Sequence, residues 1–451
     1  MYHTLKSPMN VQFEITSKCN ERCRHCYNYW RRDSSPDSTR NMDKELFDAC
    51  LDELIKNNVM HVIFTGGEPF FNYDILRYGI ERATREGLST TCNSNLLLAS
   101  REKLETLRAA GLPHILTSLN SFNAETNDFI TSHPGAFDTI VASIREAVAA
   151  GIKISTNMII TTNNINDIYE TGLFVRDLGV SKFHITRVVP PSYITEADRG
   201  EFVQGREELE KVLEQTVALE RDSDIEVKTL IPYPLCALGD LDRFRKYIGR
   251  PCAAGKRSMS IDSNGLGHAC WHMTREYGSV PEKGLAQVWA DMQEWRSGEL
   301  IPDACKPCPH LPLCGAGCRV AGAQFFGELS AEDNLRRGWE HVVAPYTGTI
   351  GVDDSKRPFA EIAALYAPSC TPEVYEKVRT RPMRVRSGVR IRPEEGFSVV
   401  NLIAGTGFFL VQDKADKLIP FLNGSSFSLA DLGGDEQFAA YLLVKGVVET
   451  A

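Results

Sequence analysis

The sequence predicts an α/β protein: a parallel sheet with outer helices over the first 200 residues, then a cysteine-rich segment, then a small unit of short strands and helices. Three observations predict it. Short apolar runs alternate with longer amphipathic segments from residue 10 to about 190. Cysteines gather in tight clusters at 19–26 and between 252 and 318, and the texture changes near Pro232 and again near residue 348.

The strand-like runs are 11–15, 61–64, 89–92, 114–118, 153–160 and 182–186, and helical patterns such as 44–56 and 100–110 fill the intervals. Six such units imply a parallel sheet whose ligands gather at the C-terminal strand ends. Residues 201–221 read as a charged amphipathic helix that leaves the sheet, 232–340 as a loop-rich segment, and 348–372 as a connector. The domain limits expected from this pattern are 1–200, 201–345 and 346–451.

A length of 451 residues allows roughly three domains, and an apolar fraction of 43% suits sizeable cores. The net charge of -9, with no basic stripe to offset it, argues against nucleic acid as a partner. No apolar run reaches the ~18 residues of a membrane span. The opening Met-Tyr-His-Thr-Leu-Lys lacks the apolar core of a signal peptide. The expectation is a cytoplasmic protein with no membrane association. In that reducing compartment thirteen cysteines are more naturally metal ligands than a disulfide framework. Cys50, in a helical pattern, and Cys92, in a strand, read instead as small buried apolar residues.

Cys19, Cys23 and Cys26 form C-x3-C-x2-C directly after the first strand. Three thiolates can hold three irons of a cubane and leave the fourth open, whereas cluster thiolates normally come as four. A zinc knuckle is the alternative, with His25 as the fourth ligand. After the second strand comes Thr65-Gly66-Gly67-Glu68-Pro69, where glycines let the backbone approach a ligand and Glu68 offers a carboxylate.

Together these motifs resemble the radical S-adenosylmethionine (SAM) superfamily, whose incomplete barrel has six units: the resemblance implies a partial (β/α)6 TIM barrel. It further implies that the open iron chelates SAM, that one electron cleaves the sulfonium to a 5'-deoxyadenosyl radical, and that the Gly66-Gly67-Glu68 motif holds the methionine amine. Other strand ends carry polar groups suited to a nucleoside and a carboxylate: Asn93 and Asn95, Ser118 and Asn120, Asn157, and Arg187. The resemblance turns Ser118 and Asn157 toward the ribose or the methionine carboxylate, and Arg187 offers a carboxylate its planar fork. Capping of strand ends is the structural alternative. His25 and Tyr27 flank Cys26, where an aromatic ring can stack on adenine or serve packing.

Farther along, Cys305, Cys308, Cys314 and Cys318 spell C-x2-C-x5-C-x3-C, preceded by Cys252-x12-Gly265-x4-Cys270. These spacings resemble the SPASM domain, which interlaces two auxiliary [4Fe-4S] clusters. By that resemblance Cys252, Cys270 and Cys318 hold the first cluster and Cys305, Cys308 and Cys314 the second. The family commonly adds another cysteine downstream, yet 327–336 has none. Cys236 is the candidate to complete the first cluster, and Cys370 or Asp333 the second; an open iron is the alternative. A zinc ribbon would need fewer cysteines and would leave the first triplet unexplained.

The last 75 or so residues suggest a small winged-helix-like module, with strands to Leu410, a helix over 413–422 and a closing helix running to Glu449. The module resembles the peptide-recognition element (RRE) of ribosomal-peptide maturases, which takes a leader peptide as an added strand. Arg379, Arg381, Arg384, Arg386, Arg390 and Arg392 would suit an acidic leader, or form a solvated basic face.

The implied function is an oxidoreductase-type radical SAM enzyme that abstracts hydrogen from a side chain of a ribosomally made precursor peptide and closes a C–C, ether or thioether crosslink. A flavodoxin or ferredoxin would supply electrons. Maturation of a folded protein, modification of a small metabolite, and a non-catalytic iron-sulfur regulator are the alternatives. No general base can be singled out.

Overall fold

The computed structural model describes residues 4–28, 39–191, 198–202, 205–248, 251–338, 369–402 and 407–450. The chain divides into two compact units, Met1–Gly351 and Val352–Ala451.

The first unit is built on strands β1 (Asn10–Glu14), β2 (His61–Thr65), β3 (Ser89–Asn93), β4 (His114–Ser118), β5 (Lys153–Ile160) and β6 (Lys182–Arg187), each parallel to its predecessor. Helices α1 (Lys44–Lys56), α2 (Tyr73–Arg85), α3 (Arg101–Ala109), α4 (Ala124–Thr131), α5 (Ala136–Ala149), α6 (Ile168–Asp177) and α7 (Arg206–Asp222) follow the strands in turn. Capping explains their starts. The Asp43 carboxylate accepts from Leu46 N at 2.9 Å, and Ser100 accepts from Lys103 N.

Register assigns each strand two unlike faces. Val11 and Phe13 line up with Val62 and Phe64, and their side chains meet the helices: Phe13 stacks on Phe47 of α1 with ring centroids 5.1 Å apart. Gly79 of α2 completes this layer, because a Cβ there would come within 2.6 Å of the Phe47 ring. The opposite parity carries Gln12, Glu14, His61, Thr65, Thr91, Asn93, Ser118, Ser155, Asn157, His184 and Thr186. Parallel strands are normally apolar on both faces, so this polar face is an exception that needs a purpose. Some of its groups bond across strands: the His61 ring nitrogens lie 3.0 Å from Ser89 Oγ and 3.1 Å from Thr91 Oγ1.

The sheet does not stop where the strand–helix rhythm stops. β7 (Glu226–Lys228) joins β6 in parallel, and β8 (Ser258–Ile261) lies parallel to β1 with β9 (Gly267–His268) antiparallel beyond it, giving the order β7-β6-β5-β4-β3-β2-β1-β8-β9. The expected limit at residue 200 therefore cuts through a continuous sheet.

In the second unit the helix Pro372–Thr380 precedes two antiparallel three-stranded sheets. One is ordered β14 (Ser426–Phe427), β10 (Met383–Val385), β15 (Val448–Thr450). The other is β11 (Arg390–Pro393), β12 (Phe397–Asn401), β13 (Gly407–Val411). Val378, Met383, Val400, Leu418, Phe438 and Tyr441 share one core. The expected closing helix is shorter than its pattern: Glu436–Val444 ends before Gly446, whose φ of 73° turns the chain into β15. The basic face is also less basic than its composition. Arg379 pairs with Glu436 at 2.7 Å, Arg384 with Glu449 at 2.6 Å, and Arg392 with Glu394 at 2.6 Å.

Candidate functional site

The first cysteine loop leaves the C-terminal end of β1 and is pinned from both sides. Gly67 N donates to Thr16 O and Glu68 N to Lys18 O, each at 2.7 Å. A Cβ on Gly66, whose φ is +148°, would lie 2.1 Å from Thr16 O, and one on Gly67 1.9 Å from Lys18 O. The glycine pair is thus required for the backbone of the second turn to lie on the backbone that leads into Cys19. On the far side Asn28 Nδ2 donates to Gly66 O at 3.2 Å, and Cys26 N bonds Cys23 O at 3.0 Å. Arg24, within the loop, is held by Glu201 through Nε at 2.9 Å and lies over the Phe129 ring. The thiols of Cys19, Cys23 and Cys26 remain partly exposed.

Glu68 is turned inward. Its Oε1 accepts from Phe70 N at 3.1 Å and Ser94 Oγ at 2.8 Å, and its Oε2 accepts from Asn95 N at 2.7 Å. Burial, only partly countered by these donors, pushes its carboxyl up to about 7. The carboxylate therefore clasps the end of β2 to the end of β3. Asn95 extends the clasp to the cysteine loop, donating to Asn20 Oδ1 at 2.9 Å with its Nδ2 4.0 Å from Cys19 Sγ.

Ser118 and Asn157 are register partners on the polar face, and Asn157 Oδ1 accepts from Thr186 Oγ1 at 2.6 Å. Asn93 stands on the same face. Asn120 is structural: its Oδ1 accepts from Ile159 N at 3.1 Å, and its N donates to Asn127.

Two site residues face other partners than those expected. Arg187, one position beyond the polar-face Thr186, forks onto Asp333 at 3.0 and 2.5 Å, and both side chains are shielded from solvent. Burial disfavours its charge, but Asp333 more than compensates, so the Arg187 pKa is raised. The fork does bind a carboxylate, yet it is the protein's own. Tyr27 stacks one face on His272, ring centroids 4.4 Å apart and 14° from parallel, so that face is not open to adenine. Desolvation, with the nearby His25 charge, depresses His272 to about 4 and keeps it neutral. His25 lies in the same partly exposed loop.

The second constellation separates into two groups. Cys270 and Cys318 pack around Val189, just past β6. Burial raises the Cys318 thiol to about 11, with Arg187 opposing and Cys252 and Asp333 reinforcing, and Cys270 is raised by burial together with Cys252 and Cys318. Asp333 Oδ2 accepts from Cys318 N at 2.8 Å. In the other group Cys236, Cys305, Cys308 and Cys314 line one cavity. Leu235 N donates to Cys314 Sγ and Arg337 N to Cys236 Sγ, each at 3.4 Å.

Cys236, expected to complete the first cluster, lies on the wall of the cavity that Cys305, Cys308 and Cys314 line. Asp333 stands with Cys318 and is taken up by Arg187. Cys370 belongs to the second unit, just ahead of the helix Pro372–Thr380. Among the described residues no three His, Cys, Asp or Glu side chains form a ready single-ion cage. Cys50 and Cys92 are fully buried, as expected, and burial raises both thiols.

Sequence reasoning missed Gln12, Glu14 and His184 on the polar face, and His272 and Asp333 as partners. The first three had a signal: Asn-Val-Gln-Phe-Glu alternates polar and apolar in a strand that parallel pairing should make apolar throughout. The last two had none, since their partners are remote in the chain.

Residues 13–175 match the family profile of the Radical SAM superfamily. The chain is 24% identical to an AdoMet-dependent heme synthase of Methanosarcina barkeri over 72% of its own length and 95% of that protein. It is 23% identical to a PqqA peptide cyclase of Ruegeria pomeroyi over 73% and 87%. Among solved structures, SuiB of Streptococcus suis bound to its precursor peptide SuiA superposes with a TM-score of 0.59 at 18% identity, covering 73% of this chain and 76% of that one. SuiB has also been solved bound to S-adenosylmethionine. No described helix is long and apolar enough to cross a membrane.

Proposed function

Given that this chain is a radical SAM enzyme by the domain it carries in residues 13–175, we propose that it matures a ribosomally made peptide, abstracting hydrogen from a side chain and installing a C–C, ether or thioether crosslink. The observation that carries the proposal is the joint arrangement of three partly exposed thiols at the end of β1 and seven more in two groups beside it. Relatives named as a peptide cyclase and as a protein bound to its precursor peptide support the substrate class.

The residues fit the groups this chemistry needs. Cys19, Cys23 and Cys26 would hold a [4Fe-4S] cluster, and the Gly66–Gly67 turn, packed on the backbone of Thr16 and Lys18 beside that loop, would offer backbone carbonyls to the methionine amine. Asn95, Ser118 and Asn157 face the ribose and carboxylate, and His25 is left as the adenine neighbour. Bound there, cluster and S-adenosylmethionine together supply a carbon-centred radical through one-electron cleavage of the sulfonium. Gln12, Glu14 and His184 line the polar face that would position the peptide side chain, and the two auxiliary cysteine groups would hold iron-sulfur centres, which can accept an electron. The enzyme works in the cytoplasm with a flavodoxin or ferredoxin as donor. The leader docks as an added strand on the second unit, where β11 and β13 close the ends of their sheet.

The test is anaerobic reconstitution, reduction with dithionite, and incubation with synthetic peptides translated from any short reading frames that adjoin the gene. The proposal expects 5'-deoxyadenosine and a product lighter by a pair of hydrogens. Deoxyadenosine without peptide modification refutes the substrate class; neither product, with iron unchanged when Cys19, Cys23 and Cys26 become Ala, refutes the whole.

Similarity to a heme synthase favours a second reading, modification of a small metabolite. That relative is spanned almost end to end by 72% of this chain, which leaves more than a quarter of the chain with hardly any counterpart in it. The peptide cyclase relative also matches only 73% of this chain, so the peptide product of the assay above is what separates the two readings.

A further inference from the structure

Cys305, Cys308 and Cys314 are three ligands in search of a fourth, since the downstream cysteine that the resembled domain supplies is missing from 327–336. The cavity these thiols line has a fourth cysteine on its wall, Cys236, which comes from upstream in the chain. It is presented by a rigid element: the short turn Leu235–Ala237 follows Pro234 and has both flanking side chains buried. The same turn gives its Leu235 N–H to Cys314 Sγ at 3.4 Å, and Arg337 N–H reaches Cys236 Sγ at the same distance. Amide donors of this kind stabilise cluster thiolates and tune their potential.

One rival ligand is otherwise engaged. Asp333 binds Arg187 and the Cys318 N–H, and Cys370 is tested as a rival by its own variant below. Among the described residues on the cavity wall, His310 is the one other competitor.

We propose that Cys236 is the fourth ligand of the auxiliary centre held by Cys305, Cys308 and Cys314, so that the missing downstream ligand is replaced from upstream. This rests on the auxiliary-cluster reading above. Its consequence is a division of labour. A centre with four cysteines has no open iron and can only pass electrons, while the centre of Cys252, Cys270 and Cys318 has three cysteines and keeps a corner free for another ligand.

The experiment measures iron, sulfide and zinc, with Mössbauer and EPR spectra, on the anaerobically reconstituted full chain and its Cys236→Ala, Cys236→Ser, Cys370→Ala and His310→Ala variants. Cys236→Ala is expected to lose about one cubane of iron or to convert it to a three-iron form. Cys236→Ser, which keeps an oxygen ligand and the side-chain size, is expected to retain the iron with a changed spectrum. Cys370→Ala and His310→Ala are expected to match the wild type. Full iron and an unchanged spectrum in Cys236→Ala, or a loss in Cys370→Ala or His310→Ala in its place, overturns the assignment while leaving auxiliary clusters standing. Zinc in place of iron, or wild-type iron sufficient only for the Cys19 group, overturns both the assignment and the reading beneath it.

Discussion

The guanidinium of Arg187 and the carboxylate of Asp333 meet fork to fork at 3.0 and 2.5 Å, both out of contact with solvent, and the same carboxylate caps the backbone N–H of Cys318. One ion pair thus ties the end of β6 to a cysteine that belongs to another group of elements.

Removing one partner strands the other charge in a dry site. Arg187→Ala is expected to lower stability by about 3–5 kcal/mol, whereas Arg187→Met with Asp333→Asn, which keeps an acceptor for the Cys318 N–H, recovers much of the loss. Chemical denaturation of the metal-free protein checks both. Equal stability of Arg187→Ala and wild type would refute the buried pairing.

Glu68 makes a pH prediction whose sign is set by its raised pKa. Its carboxyl goes from an ordinary 4.5 to about 7 on folding, so the folded state holds the proton more tightly. The associated stability is complete below about pH 4.5 and is lost as pH rises through about 7, up to about 3 kcal/mol. Glu68→Gln, always neutral, lacks this dependence. Denaturation midpoints measured across that range should show the wild type falling relative to the variant as pH rises; parallel curves contradict the raised value.

Gly66→Ala and Gly67→Ala force a Cβ into the carbonyl oxygens of Thr16 and Lys18, and backbone has no rotamer with which to yield. Each variant is expected to lose the iron of the first cysteine loop, about four per chain, along with 5'-deoxyadenosine formation. The auxiliary iron should stay. Iron analysis alongside a Cys19→Ala control decides, and wild-type iron in either variant counts against the contact.

The Tyr27–His272 stack is expected to contribute about 1 kcal/mol beyond its buried area. A double-mutant cycle with Tyr27→Ala and His272→Ala, read by thermal melting of the metal-free protein, measures it. Additive single effects mean that the rings do not interact.

Much of the first sheet is legible in the sequence because its signal is local. The six expected strands lie within one residue of β1 to β6 at each end, and 44–56 is helical from end to end, with Asp43 as its cap. What is not legible depends on pairing across distance. Nothing in Ser258–Ile261 announces that it will hydrogen-bond to Asn10–Phe13. Arg187 offered a fork, but its carboxylate arrives 146 residues later. Arg379 and Arg384 read as part of a basic face because their partners Glu436 and Glu449 lie far downstream. Gly446 is a readable signal, since a glycine in a run of apolar residues marks a helix end, and the helix stops before it at Val444.

The pairing of β8 with β1 has a consequence for how such a protein can be cut or recombined. A chain ended at residue 200 would leave its first strand as a raw edge beside the thiol loop, inviting self-association and soluble only by accident. The strand–helix repeat and the segment that carries β8 therefore form one sheet, and a chimera keeps that sheet whole only with its seam beyond β9.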